Sequence, residues 1–310
     1  MKIFSHCPSI YSCEQFIPVD VLAKSERFIS EIQGLKELGY QKIGALKKIS
    51  QVDASISVAK EHLSRLRNPT VGRVIYCSYW NEEIWTEFHG AKIHHSLNLD
   101  SDVAVVNLKV SGAACILTAF ELAQSYIANN PERGVLVIAA DKIDARFVRR
   151  KFSGGIFGDG AAATYLSAKP IEDRGVWFSE PPRTVVDGSF YKLDDYEQDQ
   201  GRLVEASKGL QARLFDGISS VMGETFTFLS QPGARFSGIE DHLGFSSFTG
   251  DWTCRGYLPA SGLLHTLTDF LSGGGQKGSV VLGEASVGLQ YVCLIGSVVS
   301  NGKSQRSAEL

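Results

Sequence analysis

The stretch AVVNLKVSGAACILTAFELAQSYIANNPERGVLVIAAD, Ala104 to Asp141, decides how this chain reads. It gives a strand, a tight turn, a long helix and a second strand. Val103 to Val110 forms the first strand, and Ser111-Gly112-Ala113 forms the turn. Ile116, Leu117, Phe120, Ala123, Tyr126 and Ile127 then recur at helical spacing, on one broad apolar face. Asn129-Asn130-Pro131 ends the helix, because proline cannot continue the hydrogen-bond ladder. VLVIAA, Val135 to Ala140, is a continuous apolar run, as a central parallel strand covered on both faces requires.

Upstream, Val19 to Leu66 reads as mostly helical, with SISVAKEHLSRL (Ser55 to Leu66) carrying apolar residues at helical spacing. GRVIYCSY, Gly72 to Tyr79, reads as a buried strand, and a helix is expected around Thr86 to Leu97. Downstream, FGDGAAATYLSA (Phe157 to Ala168) is a glycine turn followed by a strand of small residues. Arg174 to Gly201 is polar, aromatic and irregular, and is expected to be a long loop or loose hairpins. Helix signals return from Leu203 to Phe228 and again from Gly262 to Leu271, where glycines 273 to 275 stop the helix. Ser279 to Ser300 gives two closing strands, and the tail NGKSQRSAEL is expected to be disordered. The turns GDGAAATYL and GEASVGLQYVCL are a weak internal repeat. They divide the chain into two similar halves, residues 1–168 and 169–310, of α/β class with helix-covered sheets.

Composition bounds the function. The chain has 310 residues, is 44% hydrophobic and 21% charged, and carries a net charge of -3. No strong field for nucleic acid or an anionic membrane follows from that balance. No apolar run approaches the roughly 20 residues of a membrane helix. The start MKIFSHCPSIYSCEQF has neither the basic nor the apolar region of a signal peptide. Cys7, Cys13, Cys77, Cys115, Cys254 and Cys293 show no paired spacing, which fits reduced thiols and a cytoplasmic location.

In order and at matching spacing, SGAACILTAFELA, VLVIAAD and FGDGAA, closed by GEASVGLQYVCLIG, resemble the β-ketoacyl-acyl-carrier-protein synthase III family. The resemblance runs over most of the chain and is weakest before residue 70. It implies a thiolase-like fold, two similar halves in a five-layer αβαβα arrangement. Members of the family use a cysteine at the start of the central helix, with a histidine and an asparagine from the second half. A helix N-terminus lowers the thiol pKa, and backbone N–H groups hold the oxyanion of acyl transfer. In this sequence all three positions are altered. The cysteine position falls on Ala113. The histidine position, in FLSQPGARF, falls on Ser230. The asparagine position, in RGYLPASGLLHTL, falls on Tyr257, with Gly256 retained.

The resemblance also implies no bound cofactor, with phosphopantetheine on an acyl carrier protein as the substrate arm. No tryptophan stands at the early position where typical members stack on coenzyme A, which favours a carrier protein. Partnership is expected with a homologous ketosynthase as a heterodimer, or with itself as a homodimer, and neither with nucleic acid nor with membrane. Arg146, Arg149, Arg150 and Lys151 precede the GDG turn. They are either a docking patch for the carrier or a solvated charged face.

Other residues compete for the lost roles. Cys115 is an alternative nucleophile, two positions along the helix and therefore on another face. Its bland reading is a buried core thiol. Ser111 reads as a helix cap. His242 and His265 lie inside expected helices rather than at strand ends. His94 and His95 diverge on a helix and lack carboxylate spacing for a metal. Three functions remain open. The first is a ketosynthase III-like subunit of polyketide or fatty-acyl metabolism without its own condensing activity. The second is an acyl-carrier-dependent acyltransferase or condensing enzyme whose cysteine at position 113 has been replaced by alanine. The third is a module that holds a carrier without turnover.

Overall fold

The computed structural model describes residues 2–26, 29–37, 39–79, 88–109, 114–143, 155–172, 174–187, 200–222, 226–230, 246–248, 250–251, 253–273, 278–286 and 290–300. Its strands are β1 (Ile3–His6), β2 (Ser9–Tyr11), β3 (Gln15–Pro18), β4 (Lys42–Ala45), β5 (Val71–Ser78), β6 (Ala104–Leu108) and β7 (Gly134–Asp141). They continue as β8 (Gly160–Ser167), β9 (Arg174–Phe178), β10 (Arg183–Val186), β11 (Phe226–Leu229), β12 (Ser246–Phe248), β13 (Ser279–Ser286) and β14 (Gln290–Ser300). The helices are α1 (Val19–Glu26), α2 (Ile32–Glu37), α3 (Gln51–Arg65), α4 (His89–Ser96), α5 (Cys115–Asn129), α6 (Gln200–Met222) and α7 (Gly262–Ser272).

The strands run in the order β12-β11-β13-β14-β9-β1-β8-β7-β5-β6. This order is one pattern written twice. In the first half β5 pairs parallel with β6 and β7, and β8 then pairs antiparallel with β7 and β1. In the second half β11 pairs parallel with β12 and β13, and β14 then pairs antiparallel with β13 and β9. β1 and β9, the first strand of each set, pair antiparallel and join the two.

Burial explains why these segments became strands. All eight residues of β7 and of β8 are buried, so the continuous apolar run of β7 is covered on both faces. Alternate β7 residues feed two cores. Leu136, Ile138 and Ala140 pack with Val52, Ala59 and neighbours on α3. Val135, Val137 and Ala139 pack with Ile116, Phe120 and Ala123 of α5. The α5 core continues through Leu263 and Leu267 of α7 to Val280 and Leu282 of β13. On the far side, Phe228 and Val281 pack with Leu210, Leu214 and Ile218 of α6. The layers are therefore α3, sheet, α5 with α7, sheet and α6. This is the five-layer αβαβα stack of a thiolase-like fold.

The structure corrects three local expectations. The region from Val19 to Leu66 is not mostly helical: Lys42–Ala45 is a strand paired antiparallel with β3, beside α1 and α2. Arg174 to Gly201 is not simply a loop, because it supplies β9, the strand that joins the halves. β9 is five residues long, too short to carry a period, and Gly175 in it leaves room for the Phe4 ring and the Ser5 carbonyl. The helical reading of Leu203 to Phe228 holds only to Met222, after which Phe226–Leu229 is strand β11. β1, β2, β3 and β12 had no expectation, whereas β5, α4, β6, α5, β7, β8, α7, β13 and β14 fall within a few residues of theirs. The tail 301–310 lies outside the described residues.

Candidate functional site

Ligands of α/β sheets collect beyond the carboxyl ends of parallel strands. Here β5 and β7 end at Ser78 and Asp141, while β11 and β13 end at Leu229 and Ser286. Two helices begin at the same junction. The Cys77 thiol donates weakly to the Cys115 carbonyl at the start of α5, at 3.8 Å. Asp141 holds the start of α7. Its carboxylate accepts from Ala260 N (2.9 Å), Ser261 N (2.8 Å) and Ser261 Oγ (2.7 Å). Backbone N–H groups at a helix start have no intrahelical partner, and an acidic group there also meets the positive end of the helix dipole. Burial nevertheless pushes the Asp141 pKa up to about 6, against the lowering by those hydrogen bonds.

The GDG turn and the RGY turn lock together at this junction. Tyr257 N donates to Ile156 O at 2.8 Å, and Gly158 N donates to Tyr257 O at 3.0 Å. Phe157 and Tyr257 thereby form a parallel bridge. Gly256 has φ +77°, a left-handed conformation that side chains rarely adopt. A Cβ on Gly158 would collide with the Arg255 carbonyl oxygen. Asp159, between the two glycines of the turn, accepts from Leu46 N (2.9 Å) and Ile143 N (3.0 Å).

Of the three positions that the resemblance assigns to the catalytic residues, Ser230 and Tyr257 lie within the described residues and Ala113 does not. Ser230 follows β11, is buried, and its N–H donates to Phe248 O at 3.4 Å. Tyr257 is 4% exposed. Its ring lies 5.8 Å from that of Phe157, which stacks on Tyr79 at 6.3 Å. Burial, and then the charges of Glu284, Tyr79 and Asp141, hold the Tyr257 phenol well above its ordinary pKa. It is a neutral donor at physiological pH.

Cys115 is 1% exposed and belongs to the central core. Hydrogen bonding with Cys77, then burial, then the fields of Cys77, Asp141 and Glu284 push its thiol well above the ordinary range. A thiol so placed is protonated at neutral pH and is a poor nucleophile. α5 takes Ala114 as its N-cap, with no side-chain cap, and Ser111 lies outside the described residues. His265 is buried on α7 against Gly160. Burial, with Arg255 second, lowers its pKa to about 3, so it is neutral and weakly basic. His94 spends its Nε2 on Asp100 O at 3.0 Å. Among the described residues no group of three or more His, Cys, Asp or Glu side chains could hold a metal. Among the described residues no helix is long and apolar enough to cross a membrane. His242, Arg146, Arg149, Arg150 and Lys151 lie outside the described residues.

Sequence reading missed two residues of the centre, Asp141 and Glu284. Both are fully buried. Behind the Cys77 contact and burial at Cys115, and behind burial at Tyr257, both acids contribute to the raised pKa of each group. A signal was present. Each acid stands at or near the carboxyl end of an otherwise apolar strand, in VLVIAAD and in SVVLGEAS.

Comparison with known proteins agrees with this fold. A family model described as 3-oxoacyl-[acyl-carrier-protein] synthase III matches residues 110–180. No curated protein matches by sequence. Among solved structures, the chain is similar to the acyltransferase ChlB3 at TM-score 0.79 and 16% identity, over 97% of this chain and 98% of that one. It is similar to AbyA1, a tetronic acid condensing enzyme, at TM-score 0.74 and 13% identity, over 95% and 99%. It is also similar to 3-oxoacyl-(acyl carrier protein) synthase III, FabH, from Pseudomonas aeruginosa PAO1, at TM-score 0.73 and 16% identity, over 97% and 99%.

Proposed function

Because the chain carries the thiolase fold in its synthase III-like form, we propose that it is a ketosynthase III-like subunit without its own condensing activity. It pairs with an active homologous ketosynthase in polyketide or fatty-acyl metabolism. The observation that carries this reading is the electrostatic sign of the junction. Acyl condensation needs groups that welcome negative charge on sulfur, on an oxyanion and on an enolate. Here the Cys77 contact and burial at the Cys115 thiol, and burial at the Tyr257 phenol, raise both pKa values, with Asp141 and Glu284 adding to the rise, so negative charge is disfavoured. Ala113, Ser230 and Tyr257 at the three altered positions supply no thiolate, no imidazole and no amide in compensation.

In this reading the halves 1–168 and 169–310 keep the architecture while the chemistry resides in the partner. Arg146, Arg149, Arg150 and Lys151 receive an acidic carrier, whose phosphopantetheine arm is destined for the partner's site. The burial and raised pKa of Cys115 support its role as a core thiol rather than as a substitute nucleophile.

Intact-mass measurement with a panel of acyl-carrier thioesters tests the proposal. The natural chain is expected to gain no acyl mass, and the Ala113→Cys form to show no condensation turnover, since Ser230 and Tyr257 still leave the enolate unsupported. Turnover by Ala113→Cys alone would establish that one atom group was all that was missing, and would overturn the reading in favour of a condensing enzyme.

The surface offers a place for the partner. β6 ends the strand order, and most of its residues are partly or fully exposed. A sheet edge of this kind is a template for another chain. Beside it lies a cavity of about 560 Å³ lined by residues that include Val106, Leu122 and Tyr126, and Leu122 is 43% exposed. Val106→Glu with Leu122→Glu is expected to weaken self-association or co-purification with synthase III-type ketosynthases by at least about tenfold, roughly 1.4 kcal/mol. Sedimentation of the natural and double-variant chains reads this out, and unchanged association would remove this edge from the proposal.

A further inference from the structure

We propose that Arg73 and Glu121 form a self-complementary lock: a second copy of this chain closes on the β6 edge, and each copy's Glu121 enters the other's Arg73 pocket. The inference rests on the partner edge named above and says what occupies it when no ketosynthase is present.

Three observations carry it. The first is an outward stripe on α5. Ile116, Phe120, Ala123 and Ile127 face the core, whereas Glu121, Leu122, Ser125 and Asn129 are exposed and recur at helical spacing on a second face. Leu122 gives that stripe an apolar centre. The second is the cavity beside it. Val106 is two residues from Leu108 on β6 and shares its α5-facing side. With Ile75 of the next strand, and Leu122 and Tyr126 of α5, it lines about 560 Å³ beside the strand that ends the sheet. The third is a cation and an acid. The Arg73 guanidinium lines the same cavity, 4.7 Å from the centre of the Tyr126 ring. Its Nε is buried and has no hydrogen-bond partner among the described residues. Arg133, by contrast, donates to Asp102 from both terminal nitrogens. Neither Arg73 nor Glu121 takes part in an ion pair among the described residues. An arginine stacked on an aromatic ring presents its donors as a planar fork, which matches a carboxylate.

Symmetry lets one surface supply both halves of the lock. In a two-fold dimer a patch meets itself, so residue i meets j and j meets i. A two-fold axis perpendicular to the sheet at β6 sets the two edge strands antiparallel, the arrangement that an exposed edge can extend. Both α5 helices then lie on the same side of the sheet and also run antiparallel. In the register that puts Leu122 opposite Ser125 of the other copy, Glu121 stands opposite Tyr126, the ring on which Arg73 lies. Leu122 then covers the other copy's cavity, and two Glu121–Arg73 pairs form together.

Sedimentation equilibrium tests the lock. The natural chain is expected to be a dimer at micromolar concentration. Arg73→Glu and Glu121→Arg should each weaken that dimer by at least about tenfold, because like charges then meet at both contacts. Mixed in equal amounts, the two variants should dimerise as tightly as the natural chain, since opposite charges again face each other at both contacts. A variant damaged in its fold would gain nothing from mixing. Should Arg73→Glu fail to melt cooperatively, Glu121→Arg at its exposed position decides alone, by the same tenfold criterion. A natural chain that is monomeric at that concentration overturns the lock. So does a dimer indifferent to Glu121→Arg, and so do folded variants that do not recover on mixing. Failure of the functional reading is separable. A dimer that pairs with no synthase III-type ketosynthase sinks that reading alone, and a monomer that does pair with one sinks the lock alone.

Discussion

Replacing Gly158 with alanine is expected to destabilise the protein by about 3 to 5 kcal/mol, the range reserved for a few severe mechanisms. The added methyl would collide with the Arg255 carbonyl oxygen, which is backbone and cannot rotate away. Relief requires the GDG and RGY turns to separate. That breaks the Gly158 N to Tyr257 O and Tyr257 N to Ile156 O bonds together. For a chain of this size the melting temperature should fall by roughly 10 °C. Gly209→Ala is the control. Gly209 is exposed on α6, and a Cβ there meets nothing within 4 Å. It should be neutral or stabilise by up to about 1 kcal/mol, since alanine is the better helix former. Calorimetric melts of both variants decide the matter. A Gly158→Ala protein as stable as the Gly209→Ala one would mean that the interlock is soft.

Acid provides the second large effect. His62 and His265 are both buried, and burial is the first cause that lowers each pKa to about 3. Arg65 and His6 add to the lowering at His62, while Arg255 lowers and Asp269 raises at His265. The folded state leaves both rings neutral below pH 6.5, where the unfolded chain takes up protons. Their contribution to stability is therefore present above pH 6.5 and lost progressively as pH falls towards 3. Between pH 7 and 5 each loss is on the order of 2 kcal/mol. Asp141 works in the opposite direction. Its folded pKa is raised to about 6, so its stability contribution is present at low pH and lost as pH rises through 6. It returns about 1 kcal/mol over the same interval, leaving a net loss on the order of 2 to 3 kcal/mol. Asp53 and Asp269 are shifted downwards and begin to matter only below the usual carboxylate range. Urea titrations at pH 7, 6 and 5 should show the loss. His265→Leu should remove about half or more of it, and Asp141→Asn should steepen it. A pH slope unchanged by His265→Leu would refute the assignment.

The sequence made the long, uniform elements legible. β7, α5, β13 with β14, and α7 could be read because their apolar period is sustained and their ends carry proline or glycine. β9 was not legible, although it joins the halves. It has five residues, one of them a glycine that serves the Phe4 ring rather than its own strand. β4 was absorbed into a helical reading because four residues cannot establish a period against helical neighbours. At the site, Ser230 and Tyr257 were assigned through motif spacing, and both are buried. Asp141 and Glu284 were passed over, since an acid in an apolar strand declares its importance only through the groups that the fold packs around it. Their effect is collective, and linear order does not display it.

The pairing of β1 with β9 has a consequence for how the molecule can be divided. β1 is flanked by β8 on one side and β9 on the other, and its four residues are buried. A chain cut after Ala168 would leave one whole side of Ile3–His6 bare, and the other fragment would carry β9 with the matching side bare. Bare edges invite aggregation. The two repeats are thus welded at their first strands, and a cut between them would cost both halves a strand neighbour.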